Sequence, residues 1–403
     1  MEKIKVSIVG LGYVGLGIAL EASRNFNVVG FDLDSNRINN LSLGKSYIEG
    51  IANSYIIEAI ENGTFLPTHD SSKLEKSNII IICVPTPLDD SHKPDLSFIY
   101  KACELISANV KTPALIINES TSYPGTLREF IAPTIEKLSG VKHEYASSPE
   151  RVDPGNEKWN LNNTPRLISG LTESATKKGV KFYSTFAKEI VQVSIPEIAE
   201  TAKLFENTFR QVNIALVNEL AIICNSLGID VYEVINAANS KPYGFMKFTP
   251  GPGVGGHCIP VDPSYLAHRA EQVGVKAKFI DLANQVNLEM PIYIVNRCNE
   301  MASGLSGKKV LIAGVTYKPN IADVRETPAE LIRNELISRG ALVSWFDPLV
   351  ENWKPDKVED LKVSSFDLVI FQTIHSNMDI ELIKSSAKMV FDCTGKLLGV
   401  TTL

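Results

Sequence analysis

Lys5 to Gly15 reads KVSIVGLGYVG, a short apolar strand running straight into Gly10-Leu11-Gly12-Tyr13-Val14-Gly15, a GxGxxG turn followed by an apolar helix pattern. Such glycines let the backbone turn tightly and approach a pyrophosphate, whose charge rests at the helix N-terminus. The second strand-like run, Asn27 to Asp32, ends in an acid 22 residues beyond Gly10. A carboxylate there accepts hydrogen bonds from an adenosine ribose and repels a 2′-phosphate. Strand, turn, helix and acid together predict a dinucleotide site at Gly10, Gly12, Tyr13, Val14, Gly15 and Asp32, with Arg37 close by. The acid favours NAD over NADP. The alternative is a Rossmann-like domain whose site is empty.

Working outward, NIIIICVP (Asn78 to Pro85), ALIINES (Ala114 to Ser120) and HEYASSP (His143 to Pro149) continue the series of apolar, strand-length runs to about residue 195. Near-continuous apolar runs fit strands buried on both faces, and their alternation with helices implies right-handed crossovers in a doubly wound parallel sheet. At Pro196 the pattern changes. No Pro or Gly follows until Gly228, and Ile198, Ala202, Phe205, Phe209, Val212, Leu216, Leu220 and Ile223 recur at three- or four-residue intervals. One helix of about 32 residues would be roughly 48 Å long. That exceeds the needs of one small domain, and suggests a spine linking two domains or packing against a second subunit. Further helices are predicted around Val231 to Ala238 and from Asp281 to Met301. SGLSGKK (Ser303 to Lys309) reads as a linker, after which KKVLIAGVTYK opens a second strand-first unit. Its helix begins at Thr327-Pro328, a cap followed by Pro at the first helical position. ALVSWFDP, FDLVIFQT and KMVFDC supply further strands. The fold predicted is α/β, with two Rossmann-like doubly wound domains joined by a long central helix, and parts at 1–195, 196–303 and 304–403.

The 403 residues suffice for several cores without staples. Apolar residues at 44% and charged residues at 21% are those of a soluble globular protein. A net charge of −6 argues against a nucleic-acid binder, and no apolar run is long enough to span a membrane. The chain enters its first strand without a signal-peptide pattern, and its six scattered cysteines form no CxxC pair. This predicts reduced, cytoplasmic usage with no metal site.

Pro250 to Cys258, PGPGVGGHC, holds four glycines and two prolines in its first seven residues. It cannot continue a helix or strand, but it can wrap backbone N–H groups around an anion or a sugar. Gly251, Gly253 and Gly255 are therefore candidate substrate contacts. Cys258 ends the loop just before a helix predicted near Asp262-Pro263. A cysteine near a helix N-terminus can have a lowered pKa, which makes it a candidate nucleophile. The bland alternative, a buried core thiol, is kept for the other five cysteines. His257 is a weaker candidate base, since adjacent side chains on an extended chain point apart. On the long helix Lys203, Asn207 and Arg210 share one face, away from the apolar stripe. Alone, they could be no more than a solvated surface.

Read together, these segments resemble the family of UDP-sugar and GDP-mannose dehydrogenases over essentially the whole chain. The resemblance runs in order through GLGYVG, CVPTP (Cys83 to Pro87), ESTSYPGT (Glu119 to Thr126), SPERVDPG (Ser148 to Gly155), KLFENTFR (Lys203 to Arg210), GPGVGGHCIPVD (Gly251 to Asp262) and GVTYKPNIADVRETP (Gly314 to Pro328). It implies an NAD domain, a helical dimerisation core and a C-terminal domain for the UDP moiety. It also implies a homodimer or higher assembly, and oxidation of a sugar C6 alcohol to a carboxylate by two NAD⁺ for surface-polysaccharide precursors. SPERVDPGN and KPYGFMKFTPGPG are similar to the branch acting on UDP-N-acetylhexosamines, particularly UDP-N-acetylglucosamine. UDP-N-acetylmannosamine and UDP-glucose are the alternatives.

Residue by residue, the resemblance implies a Cys258 thiolate that captures the aldehyde. Lys203 and Asn207 would stabilise the oxyanion, Asp262 would help activate water, and Thr121 and Glu150 would position that water. Pro85, Thr86, Thr121 and Arg325 would lie along the cofactor. Glu150, Arg151, Arg210, Phe248 and Lys318 would lie along the substrate. Two positions depart from the family pattern: Pro154 stands where a second glutamate is common, and Lys396 where relatives often place an arginine. A remoter reading is a two-electron hydroxy-acid dehydrogenase, which would leave the Cys258 loop unexplained. A nucleotide-sugar sensor would be expected to have lost Cys258, Lys203, Asn207 and Asp262.

Overall fold

The computed structural model describes residues 4–48, 50–89, 91, 93–152, 156, 158–256 and 258–403, Cys258 by its backbone alone. The chain divides into two compact units, Met1–Glu206 with Ser264–Val273, and Asn207–Pro263 with Gly274–Leu403. Two continuous helices, Pro196–Leu227 and Cys258–Gln272, contribute to both.

The first unit is built on an eight-stranded sheet: β1 (Lys5–Val9), β2 (Asn27–Phe31), β3 (Phe65–Thr68), β4 (Ile79–Ile82), β5 (Leu115–Asn118), β6 (Glu144–Ser147), β7 (Arg166–Gly170) and β8 (Ile190–Gln192). Their spatial order is β3-β2-β1-β4-β5-β6-β7-β8, so the chain leaves β1 first to one side and then to the other. Ligands of such sheets bind beyond the carboxyl ends of the strands at that switch point. β4 shows why the sheet is parallel and covered. All four of its isoleucines are buried, with Ile79 and Ile81 in the apolar cluster on one face and Ile80 and Ile82 in the other. Each such side chain contributes roughly 1.5–3 kcal/mol on burial.

Three strands of this sheet escape the sequence pattern. β3 contains Pro67, which an edge strand tolerates because one side of it makes no ladder bonds. β8 is three residues long and half exposed. β7 begins with an arginine and runs antiparallel to β6, pairing Ala146 with Gly170 and Ser147 with Ser169. The expectation of a wholly parallel sheet is thus corrected at this one junction.

The second unit carries a parallel five-stranded sheet: β9 (Lys309–Ala313), β10 (Leu342–Phe346), β11 (Phe366–Phe371), β12 (Ala387–Asp392) and β13 (Thr401–Thr402), in the order β10-β9-β11-β12-β13. Val310 and Ile312 pack with Cys224, Met290, Ile294 and Cys298 from helices Pro196–Leu227 and Lys278–Met301. The first turn of this sheet repeats that of the other. Gly10 N–H donates to the Phe31 carbonyl and Leu11 N–H to Asp32 Oδ2; Gly314 N–H donates to the Phe346 carbonyl and Val315 N–H to Asp347 Oδ2, all at 2.8 Å. The two acids then differ. Asp347 is closed over by the fully buried His375, whose Nε2 lies 2.9 Å from Oδ2. Among the described residues no helix is long and apolar enough to cross a membrane, and no group of acidic, His and Cys side chains is arranged to hold a metal.

Candidate active site

The glycine turn fits a dinucleotide pyrophosphate. Gly10 has φ +94°, and a Cβ there would meet the Cys83 carbonyl oxygen at 2.4 Å. A Cβ on Gly15 would stand 1.9 Å from the Gly10 carbonyl oxygen, so the helix Tyr13–Ser23 can pack this closely only with glycine. Gly12 caps that helix and a Cβ on it would meet nothing within 4 Å, which leaves its backbone open to an approaching phosphate. Tyr13 and Val14 form the helix's first turn, Tyr13 exposed and Val14 half-buried.

Asp32 sits at the end of β2. Its Oδ2 accepts from Leu11 N–H, its Oδ1 accepts from Asp34 N–H at 2.9 Å, and Arg37 Nη1 reaches Oδ2 at 3.3 Å. Arg37 also lies over the Tyr47 ring. The Tyr47 hydroxyl donates to the Leu11 carbonyl, and burial beside Asp32 pushes it well above the usual tyrosine range. The acid is thus oriented by the turn it is predicted to serve. Against a 2′-phosphate it presents like charge, so kcat/KM should favour NAD⁺ over NADP⁺ by at least roughly tenfold. Equal values for the two cofactors would refute this.

Pro85 and Thr86 follow β4, and Thr121 follows β5, all at the carboxyl edge of the sheet. Ser120 Oγ ties the two loops together through Val84 N–H at 2.8 Å. The segment beyond Thr121 is held by Glu200 of the long helix. Its carboxylate is buried and accepts from Gly125 N–H at 2.7 Å and Leu127 N–H at 3.2 Å. Burial pushes that carboxyl up to about 7 even so.

Glu150 follows β6. One oxygen accepts from Arg151 N–H at 2.6 Å and Val152 N–H at 2.7 Å; the other receives Arg166 Nη2 at 2.6 Å. Arg166 and, less strongly, the two amides and Lys203 hold the carboxyl below its usual range despite burial. Arg151, predicted at the substrate, has its guanidinium engaged with Glu206 at 2.6 Å and with the Pro165 carbonyl at 2.8 Å. Sequence reasoning missed Arg166 and Glu119, a buried ion pair at 2.7 Å. An arginine opening a short run, RLISG, was the available signal.

The long helix buries part of its polar face and leaves much of its apolar stripe exposed. Lys203, Gln211 and Asn218 are buried, whereas Phe205, Phe209, Leu216 and Ile223 are 42–61% exposed. The predicted polar face does not share one environment, because Lys203 is buried and Arg210 is exposed.

In the second unit Asn207 Nδ2 donates to Asp262 Oδ2 at 2.5 Å, and Asp262 is 2% exposed. Arg210 lines an open depression of about 480 Å³ with Ile214, Lys247, Phe248 and Thr249. Phe248 is half-buried, its ring 6.0 Å from that of Phe209.

Two amides of the glycine loop are engaged within the protein. Gly251 N–H is taken by Asn218 Oδ1 and Gly256 N–H by the Arg325 carbonyl, both at 2.9 Å, so these two amides serve the fold. Gly253 and Gly255 allow close packing, against the Asn287 carbonyl and against Glu326 and Tyr317 respectively. Lys318 is half-buried next to Thr316, whose hydroxyl donates to the Lys318 carbonyl, and exposed Arg325 pairs with Asp323 at 2.6 Å. Asp392, near Lys396, is fully buried and accepts the Lys396 and Leu397 N–H groups at 2.8 Å.

Cys258 opens the helix Cys258–Gln272, four residues earlier than expected. Pro260 falls in the first turn, where N–H groups have no helical partner, so it does not delay the start. Asp262 therefore stands one turn beyond Cys258 on the same helix. His257, and Asp153, Pro154 and Gly155 of the SPERVDPG motif, lie outside the described residues.

Family models match the chain in three consecutive segments. They are the NAD binding domain (residues 4–187), central domain (197–289) and UDP binding domain (311–397) of the UDP-glucose/GDP-mannose dehydrogenase family. The chain is 36% identical over 412 residues to a UDP-N-acetyl-D-glucosamine 6-dehydrogenase of Pseudomonas aeruginosa, covering 96% of this chain and 95% of the relative. It is also 36% identical over 397 residues to a UDP-N-acetyl-D-mannosamine dehydrogenase of Methanocaldococcus jannaschii, covering 96% and 90%. Among solved structures, a UDP-D-ManNAc dehydrogenase from Pyrococcus horikoshii superposes with a TM-score of 0.91 at 32% identity, over 99% of this chain and 98% of the other. The chain belongs to the UDP-glucose/GDP-mannose dehydrogenase family, whose members are NAD-dependent oxidoreductases.

Proposed function

We propose that this chain oxidises the C6 alcohol of a UDP-N-acetylhexosamine, UDP-N-acetylglucosamine first, to the uronic acid. The arrangement that carries the reading is Cys258 and Asp262 one turn apart on a single helix, with the Asn207 amide on Asp262. The Gly10–Gly15 turn and Asp32 would hold NAD⁺, which would supply the hydride acceptor for each of the two oxidations. The Cys258 thiolate adds to the C6 aldehyde left by the first oxidation, giving a thiohemiacetal whose alkoxide Lys203 and Asn207 stabilise. Loss of the second hydride gives a thioester. Asp262 helps activate the water that hydrolyses it, releasing the carboxylate and the thiol, while Thr121 and Glu150 position that water. Covalent capture keeps the aldehyde from escaping between steps.

The choice of an N-acetylated sugar is supported by the relatives acting on UDP-N-acetylglucosamine and UDP-N-acetylmannosamine. The test is a comparison of UDP-N-acetylglucosamine, UDP-N-acetylmannosamine, UDP-N-acetylgalactosamine and UDP-glucose with NAD⁺, counting NADH per sugar. Two NADH per UDP-N-acetylglucosamine is expected. A better UDP-N-acetylmannosamine moves the substrate to that epimer, and one NADH overturns the four-electron reaction.

We also assign residues 1–195 to NAD, 196–303 to the central helical part and 304–403 to the UDP moiety, and place the enzyme in the cytoplasm. The exposed Phe205, Phe209, Leu216 and Ile223 support a homodimer through the long helix, since so many adjacent apolar side chains on one face mark a protein contact. Light scattering at micromolar concentration should give a dimer, and Phe205→Glu with Leu216→Glu a monomer. A monomeric unsubstituted chain overturns this.

A further inference from the structure

We propose that Arg166 is the positioning residue of Glu150, and that Glu119 and Tyr183 in turn fix Arg166. The inference rests on the reading of Glu150 as the carboxylate that positions the attacking water.

The strand arrangement brings these residues together. β6 and β7 pair antiparallel with Ser147 opposite Ser169, and the same register carried three residues further sets Glu150 opposite Arg166. β5 and β6 pair parallel with Asn118 beside Ser147, which sets Glu119 beside Ser148. An antiparallel β7 is what puts the first residue of a strand at the carboxyl edge of the sheet. A parallel strand in its place would have presented its last residue there.

The guanidinium is shared between two carboxylates. Nη1 donates to Glu119 Oε2 at 2.7 Å and Nη2 to Glu150 Oε2 at 2.6 Å. The Tyr183 ring lies against the guanidinium, 4.6 Å from its carbon to the ring centroid, and the Tyr183 hydroxyl donates to Glu119 Oε1. The Arg166 side chain is 4% exposed, that of Glu119 not at all, and that of Glu150 12%. Glu150 is thus the one member with an edge open beyond the cluster. Arg166 and two backbone amides fix its plane and keep it ionised, which suits a fixed hydrogen-bond acceptor for water better than a proton-accepting base.

A buried ion cluster of this kind is a poor source of stability, because desolvation offsets most of the attraction and apolar packing would do as well. Two carboxylates share this guanidinium, and the buried Lys203 ammonium acts on Glu150 as well. The groups facing Glu119 are Arg166, Glu150, Tyr183 and Cys83, and burial pushes its carboxyl up to about 7 against the pull of Arg166. Below that pH Glu119 holds a proton and Arg166 serves Glu150 alone. Above it the guanidinium is divided between two anions.

The experiment compares Glu150→Gln, Arg166→Lys, their double variant and Glu119→Gln, on the full chain with NAD⁺ and UDP-N-acetylglucosamine. Arg166→Lys should lower kcat roughly ten- to a hundredfold with KM for both substrates within about twofold. It should lower kcat no further when Glu150 is already Gln. Glu119→Gln should fold normally and lose the ionisation near pH 7 from the kcat profile, because Arg166 then serves Glu150 at every pH. Losses that multiply in the double variant, or a Glu119→Gln profile superimposable on that of the unsubstituted enzyme, overturn the inference while leaving the proposed function intact. Full activity in Glu150→Gln overturns the role of Glu150 itself, and the inference with it.

Discussion

Replacing Cys258 by Ser should reduce turnover to acid by about 10⁴, roughly 5.5 kcal/mol of transition-state stabilisation. A serine hydroxyl near neutral pH is a much poorer nucleophile than a thiolate, and an ester is harder to hydrolyse than a thioester. The substitution changes volume little at the first position of the helix Cys258–Gln272, so the fold and NAD⁺ binding should survive. What remains should stall after the first hydride, giving at most one NADH per sugar with the aldehyde released free or held as a hemiacetal adduct. Near-normal acid formation with two NADH would falsify the covalent role of Cys258.

The fold was legible wherever one side-chain pattern answered to one environment. Ile79 to Ile82 can only be a strand buried on both faces, and GLGYVG followed by Asp32 can only turn between β1 and its helix in a few ways. The long helix was legible in extent, from Pro196 to Leu227, because no breaker interrupts it. Its orientation was not. Periodicity distinguishes an apolar face from a polar one, but it does not say which of them meets water. Here Lys203, Gln211 and Asn218 are buried, and Phe205 and Leu216 point out. β7 was illegible for a related reason. Its side chains include an arginine that is buried only because other strands bring carboxylates to meet it.

The site was legible as a set of residue types and not as a set of contacts. Asp262 and Asn207 are 55 residues apart in the chain and joined at 2.5 Å. Glu119, Glu150 and Arg166 lie on three different strands or their ends, and nothing in the spacing of the three predicts a shared guanidinium. In the glycine loop the composition correctly announced an irregular backbone, yet the Gly251 and Gly256 amides bind Asn218 and Arg325. Glycine there serves close packing as much as ligand approach. Motifs name the chemistry a segment can do; which of its donors are free depends on neighbours far along the chain.

Asp262→Asn should stall the enzyme on the other side of the second oxidation. The Asp262 carboxylate is buried and bonded to Asn207 Nδ2, and an asparagine can keep that bond through its own carbonyl oxygen, so the local structure should hold. On the proposed mechanism it loses the negative charge that would help a water molecule give up its proton as it attacks the thioester. General base assistance of this kind is worth about 10²–10⁴ in rate. Both hydride transfers precede that step, so the variant should release two NADH per subunit in a rapid burst and then turn over slowly. During the slow phase Cys258 should carry the uronyl group, seen as a mass increase on the intact chain and released by hydroxylamine as the hydroxamate. The contrast with Cys258→Ser is the useful part, because one variant stops at no more than one NADH and the other at two. Linear NADH formation from the first turnover, with no covalent adduct, would remove Asp262 from the hydrolytic step and leave its bond to Asn207 as a structural contact.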